Sequence, residues 1–263
     1  MVYLFKRNCG ELKLIVEELW AEFQNCDFVP VGVEVGFGKD ENMAAIDVSG
    51  KTMKAVLGGF VDRVDQWIDG GRNYFRVVDY KTGKKDFDYC DVLNGIGLQM
   101  LLYWFALEEQ GADLLGLNAH CAGVQYFAAR APLITVNGSV TPEEAAKERE
   151  SAWKRKGLIL SDDDVLRAMD HTPDFSRLSC KTNKDGQVTG DVADKEHFKL
   201  LKQYIYSVVG KLVDDIASGN VAPNPYMRGN SHNACAFCPY GSICHSAEVA
   251  DRRNYKAMTA QRF

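Results

Sequence analysis

The chain has 263 residues, 46% of them hydrophobic, and a formal net charge of −5. That is ample for a proper core, and it excludes a protein coated in basic surface, although local stripes such as Lys81, Lys84 and Lys85 remain. No apolar run reaches the roughly eighteen residues of a membrane span, and "MVYLFKRNCGELK" lacks the order of a signal peptide, so the reading is a cytosolic protein without membrane association.

Along the chain, "GELKLIVEELWAEFQ" puts Leu12, Ile15, Val16, Leu19 and Phe23 on one helical face and predicts a helix over 10–24. "FVPVGVEVGFG" alternates until its glycines and reads as a short strand carrying Glu34. Residues 55–68 and 74–80 read as two strands around "DGGRN", a hairpin-turn signal. Residues 92–109 read as one helix, apolar nearly all round and therefore buried against a sheet, and "LLGLNAHCAGVQYF" supplies another strand. The order predicts an α/β or α+β fold with a mixed sheet.

From 130 to 193 the composition turns polar, with "TPEEAAKERESAWKRKG" as a capped helix and "SCKTNKDGQVTGD" as a hairpin or loop; this segment reads as an insertion. A long amphipathic helix over 194–218 then leads into a cysteine-rich tail. The expected organisation is a single domain with its core in 11–128, the insertion in 130–193, and the last helix and cysteine motif in 194–263.

The stretch "VVDYKTGKKD" places the charged residues Asp79 and Lys81 in what otherwise reads as a buried strand. If Gly70 and Gly71 form a two-residue turn, Asp62 lies directly across from Asp79, and Lys81 shares their face. Two carboxylates would then stand with Cβ atoms about 5 Å apart. Their repulsion is about 3 kcal/mol at an effective dielectric near 20. A divalent cation converts that repulsion into binding, because hard oxygen ligands suit Mg²⁺. An isolated Asp-x-Lys is far more often a surface ion pair, so the context decides.

That context is a family resemblance. "GGFVDRVD", "VVDYKTG" and "LQMLLYWFAL", in this order, resemble the RecB-type branch of the PD-(D/E)XK nucleases, most closely the C-terminal nuclease domain of the B subunit of AddAB-type helicase–nucleases. The resemblance runs from about residue 27 to 245 and is weakest in the polar segment. It implies a mixed sheet flanked by helices, restriction-endonuclease-like in its core, and metal-dependent cutting of DNA, as an exonuclease in a helicase–nuclease of double-strand break repair. By matching position, Asp62 and Asp79 would hold Mg²⁺ or Mn²⁺, Lys81 would be the catalytic lysine, and Gln99 and Tyr103 the Q-x-x-x-Y pair on one helical face. Glu34 matches a further acid of the family. Arg63 and Asp65 should point away from Asp62 and are read as structural.

Three of the eight cysteines, Cys235, Cys238 and Cys244, stand as C-x₂-C-x₅-C. In a cytosolic chain that crowding favours a metal over disulfides, whereas Cys9, Cys26, Cys90, Cys121 and Cys180 scatter and read mostly as buried thiols. Spacing alone allows zinc, with His232 or His245 completing the site, or an iron–sulfur cluster. The resemblance implies a [4Fe–4S] staple with a fourth cysteine upstream. Neither "RNCGELK" nor "QNCDFVP" resembles the surroundings of that cysteine, and the histidine that RecB-type nucleases carry upstream of the acids is absent. The expectation is therefore the C-terminal piece of a longer protein, weakly active alone and working with a helicase partner subunit. The competing expectation is a non-cutting, nuclease-like module that grips DNA or a partner. No Walker-type phosphate loop occurs, so ATP hydrolysis is not predicted for these residues.

Overall fold

The computed structural model describes residues 2–83, 85–132, 138–229, 232–236, 238–245 and 252–256. Lys84 and the side chain of His232 lie outside the described residues. The chain divides into two compact units: residues 1–46, 58–87 and 99–199 form one, and residues 47–57, 88–98 and 200–263 the other.

The first unit opens with α1 (Val2–Gln24) and β1 (Val29–Phe37). The β2 (Ile46–Ser49) and β3 (Lys54–Leu57) hairpin belongs almost wholly to the second unit, after which β4 (Gly59–Asp69) and β5 (Arg72–Lys81) return to the first. α2 (Tyr89–Leu93) falls in the second unit, and α3 (Gln99–Gln110), α4 (Ala112–Leu115) and β6 (His120–Ala128) in the first. There follow α5 (Pro142–Ala152), β7 (Lys156–Leu160), α6 (Asp163–Met169), β8 (Cys180–Thr182), β9 (Val188–Gly190) and β10 (Val192–Ala193). α7 (Lys195–Ala217) then leads into β11 (Tyr226–Arg228), β12 (His232–Asn233), α8 (Gly241–Cys244) and β13 (Arg253–Asn254).

A mixed six-stranded sheet in the order β1-β4-β5-β6-β7-β10 carries the first unit, with helices flanking it. β1–β4, β4–β5 and β6–β7 are antiparallel, while β5–β6 and β7–β10 are parallel. Val61, Val64, Phe75, Val77 and Val78 of the central strands are essentially inaccessible. The turn between β4 and β5 is the expected two-residue one: Gly70 and Gly71 have φ of 54° and 85°, the left-handed values that type I′ demands and glycine adopts without strain.

Four elements differ from their sequence reading. The strand expected over 55–68 is two: it breaks at Gly58 into β3, which pairs with β2, and β4, which joins the six-stranded sheet. α1 begins at Val2 instead of residue 10, and its added length, about two turns, exposes Tyr3, Leu4 and Phe5, so apolar periodicity has nothing to register there. Of its expected inner face, Ile15 and Leu19 pack on Val78, Phe127 and Trp153, while Leu12 and Val16 are exposed. The helix expected over 92–109 is two helices, because Gly95 and Gly97 adopt φ of 76° and 70° between α2 and α3. Most consequentially, the polar segment is not peripheral: β7 and β10 extend the central sheet, and Leu158, Ile159, Leu160, Val165 and Leu166 are buried. The expected capped helix is α5, which Thr141 caps through a capping box, and of the hairpin or loop expected after it the structure has a hairpin, with Cys180–Thr182 paired to Val188–Gly190.

In the second unit, Asp214 Oδ1 of α7 accepts the backbone N–H groups of Lys51 at 2.6 Å and Thr52 at 3.2 Å, which ties the β2–β3 turn to that helix. Arg228 bridges Asp88 and Asp91 at 3.0 Å each, and the Tyr226 hydroxyl donates to Asp91 Oδ1 at 2.7 Å.

Candidate active site

The Gly70–Gly71 turn sets the register of everything beyond it. Asp69 pairs with Arg72, and the ladder runs on to Arg63 opposite Val78, so the next two residues to face each other are Asp62 and Asp79. Here the ladder gives way to a side-chain contact: Asp62 Oδ2 accepts the backbone N–H of Tyr80 at 2.8 Å. Asp79 is 1% exposed, and Lys81 Nζ stands 2.6 Å from its Oδ2. Burial pushes the Asp79 carboxyl above its ordinary range; Lys81 opposes that shift and the charge of Asp62 adds to it. Lys81 keeps about a third of its side chain in solvent, with 32% exposed.

On the neighbouring strand Glu34 falls between Val33, paired with Arg63, and Val35, paired with Val61, which puts it across from Asp62. Its side chain is exposed, and its φ of 51° is left-handed. Among the described residues no cluster of three or more metal-ligating side chains forms, so Glu34 is not gathered with the two aspartates.

Gln99 and Tyr103 occupy one face of α3, where Gln99 Nε2 donates to the Tyr103 hydroxyl at 2.6 Å. The Tyr103 ring packs edge-on against Phe37, and a Cβ on Gly59 would lie 3.1 Å from its Cε1. The second glycine of "GGFVDRVD" therefore makes room for this tyrosine at the start of β4, three residues before Asp62.

Arg63 and Asp65 belong to a buried charge network built on Glu22 of α1. Glu22 receives Arg63 at 3.0 Å, Arg76 at 2.6 Å and Arg155 at 2.7 Å, and Asp65 receives Arg63 at 2.9 Å and Arg76 at 2.8 Å. Burial alone would raise the Glu22 carboxyl, but Arg155, Arg76 and Arg63 outweigh it and hold the group far below the usual carboxylate range. As strand alternation demands, the network draws on Arg63 and Asp65 and leaves out Asp62 between them.

Residues 3–245 match the PD-(D/E)XK nuclease superfamily. The chain belongs to this superfamily. Within it, the chain is 36% identical over 249 residues to the B subunit of the ATP-dependent helicase/deoxyribonuclease of Moorella thermoacetica, covering 92% of this chain and 21% of that protein. It is 34% identical over 236 residues to the protein of the same name from Clostridium tetani, covering 87% of this chain and 20% of that one. For the Desulforamulus reducens protein the identity is 30% over 264 residues, 98% of this chain and 23% of the relative. The chain thus spans about a fifth of the length of the curated relatives it matches.

For a PD-(D/E)XK nuclease, the hairpin supplies an apt pair of acids. Asp79 offers a buried oxygen faced by the Lys81 ammonium at 2.6 Å, and the donors are hard oxygens of the kind a small divalent cation takes. Sequence reasoning missed Tyr126, which β6 sets beside Asp79 in parallel register and which burial, then the Asp79 charge, pushes up to about 12. Only the parallel pairing of β5 with β6 could have revealed it.

The cysteines of the tail stand apart in character. Cys235 is half-buried while Cys238 and Cys244 are exposed, and the Cys238 N–H donates to the Cys235 carbonyl at 3.3 Å. These thiols are not drawn into a metal cage among the described residues. Of the scattered cysteines, Cys90, Cys121 and Cys180 are buried, Cys26 is half-buried and Cys9 is exposed.

Proposed function

We propose that this chain is the DNA-cutting domain of a helicase–nuclease, hydrolysing phosphodiester bonds with Asp62 and Asp79 as ligands of Mg²⁺ or Mn²⁺ and Lys81 beside them. The observation that carries this reading is the meeting of a buried carboxylate, a second carboxylate and an ammonium group at the end of one hairpin. Relatives named as B subunits of an ATP-dependent helicase/deoxyribonuclease support DNA as the substrate and a second, partner protein as the company it keeps.

A divalent cation bound there would stabilise charge on the phosphate and activate a water. Burial and the nearness of Asp62 hold Asp79 in wait for a positive charge, and Lys81 supplies one until substrate arrives. Lys81, released from Asp79, would set its ammonium against the phosphate oxygens as charge develops on them. The water oxygen forms the new bond to phosphorus, the bond to the departing sugar oxygen breaks, and that oxygen leaves carrying a proton. Gln99 and Tyr103 would steady the scissile strand, with Glu34 as a further acid opposite Asp62. Exonucleolytic action belongs to this proposal, as does a [4Fe–4S] cluster on Cys235, Cys238 and Cys244 with a fourth ligand. Zinc completed by His232 or His245 is the other metal that spacing allows.

The test is cleavage of labelled single-stranded and duplex DNA with Mg²⁺ or Mn²⁺, comparing the chain with Asp79→Asn and Lys81→Ala. Cutting that needs the metal and vanishes in both variants is expected. Undiminished cutting by Asp79→Asn would remove the assignment.

A further inference from the structure

A groove of about 650 Å³ opens directly beside Lys81, between the loop that follows β5, the end of β6 and the junction of α5 with β7. Among the described residues its charged lining is lopsided: Lys81, Lys85, Arg130, Lys154 and Lys156 face a single acid, Asp86. In a chain whose net charge is −5, so concentrated a basic lining calls for an anionic occupant. The Asp86 carboxylate does not cancel it, since Lys156 Nζ lies 3.8 Å away in an open, solvated pair.

We propose that this groove holds the phosphate backbone of a single nucleic-acid strand that continues from the candidate active site. The proposal deepens the nuclease reading and rests on it. Lys81 belongs to both places, pairing with Asp79 and walling the groove, and Tyr126 does likewise, since it pairs in register with Asp79 and lines the cavity. A strand whose scissile phosphate sits at the acids would therefore enter the groove with its next phosphates. The volume falls within the range of small-ligand sites, about 300–1,000 Å³, which suits a few nucleotides of one strand. Ala128, Ala131 and Pro132 add an apolar lining along which sugars and bases can lie without sequence preference. Lys154, Arg130 and Lys156 come from the segment expected as an insertion, so its incorporation into the sheet is what furnishes this wall.

The test is fluorescence anisotropy of a labelled oligodeoxythymidine in EDTA, where cutting is suppressed, at several salt concentrations. Lys154→Glu/Lys156→Glu should weaken binding about tenfold or more, and the slope of log affinity against log salt should fall by about 1.4, or 0.7 for each lost phosphate contact. Arg130→Glu, on a different strand end, guards against a folding artefact and should weaken binding too, while circular dichroism matches the unmodified chain. A blunt duplex should bind more weakly than the single strand. Unchanged affinity in the double variant and in Arg130→Glu would overturn the proposal, as would equal displacement of the DNA by polyglutamate. Failure of the nuclease reading looks different: Asp79→Asn would still cut, whereas the groove is judged on binding alone.

Discussion

Tyr80 joins the two chemically distinct faces of the hairpin: its backbone N–H donates to Asp62 at 2.8 Å, and its hydroxyl accepts from Arg63 Nη1 at 3.0 Å. The acid that ends the ladder and the arginine that anchors it to α1 are thus held by one residue. Only the second bond depends on the side chain. Tyr80→Phe should therefore cost about 1 kcal/mol of stability through the lost hydrogen bond, while cleavage below the melting range is preserved. Chemical denaturation alongside a cutting assay checks both halves; a stable but inactive variant would mean that the hydroxyl itself serves the reaction.

Asp79 gives a pH signature whose sign follows from its burial. Its folded-state value is raised above the ordinary 3.8, so the native state holds the proton more tightly than the unfolded chain and stability falls as pH climbs through the window above 3.8. Asp79→Asn removes that penalty. The variant should be the more stable protein at pH 7, with the difference shrinking towards pH 4. Added Mg²⁺ should reverse the order, since a ligand that binds only the native state stabilises it by mass action and the variant lacks the ligand oxygen. Denaturant midpoints at the two pH values, with and without metal, provide the measurement; Mg²⁺ that stabilises both proteins equally would place the metal elsewhere.

The acid pair was legible because a two-residue turn and the period of a strand leave no freedom: once Gly70 and Gly71 are the tip, Asp62 must oppose Asp79. The network beneath was not legible as a network. Glu22 lies 41 positions from Arg63, 54 from Arg76 and 133 from Arg155, and no local pattern connects positions so far apart. Only the direction of Arg63 and Asp65 could be read, from alternation. The split between α2 and α3 escaped because Val92 and Leu93 before the Asn94–Gly95 break and Ile96 and Leu98 after it imitate a continuous buried face. β7 escaped because "KGLIL" follows a charged helix, and its burial comes from strand partners in β6 and β10 that composition does not reveal.

Removing Glu22 should be far costlier than removing Asp79. Glu22→Gln leaves Arg63, Arg76 and Arg155 facing one another without their shared carboxylate, and breaking a buried pair from one side typically costs about 3–5 kcal/mol. The pH dependence runs opposite to that of Asp79. Because the Glu22 carboxyl is held below its ordinary 4.5, its contribution is present above that value and fades as pH falls beneath it. The unmodified chain should lose stability on acidification below about pH 4.5, and Glu22→Gln should show a shallower acid limb from a lower starting point. Thermal melts between pH 3 and 7 read both, and identical acid limbs would show that other carboxylates control acid unfolding.

Glu34 separates backbone strain from chemistry. A non-glycine residue at φ 51° inside a strand carries a steric cost of about 1–2 kcal/mol, and strained residues of this kind gather at functional sites. Glycine relieves the clash but loses the carboxylate opposite Asp62, so Glu34→Gly should melt at or above the temperature of the unmodified chain. If the carboxylate contributes to metal binding, the same variant should need several-fold more Mg²⁺ for half-maximal cutting while reaching a similar rate at saturation. Glu34→Asp retains an acid and the left-handed backbone, and should recover part of that affinity without the gain in stability. A metal requirement unchanged in both variants would reduce Glu34 to a solvated strand residue and leave Asp62 and Asp79 as the acids that matter.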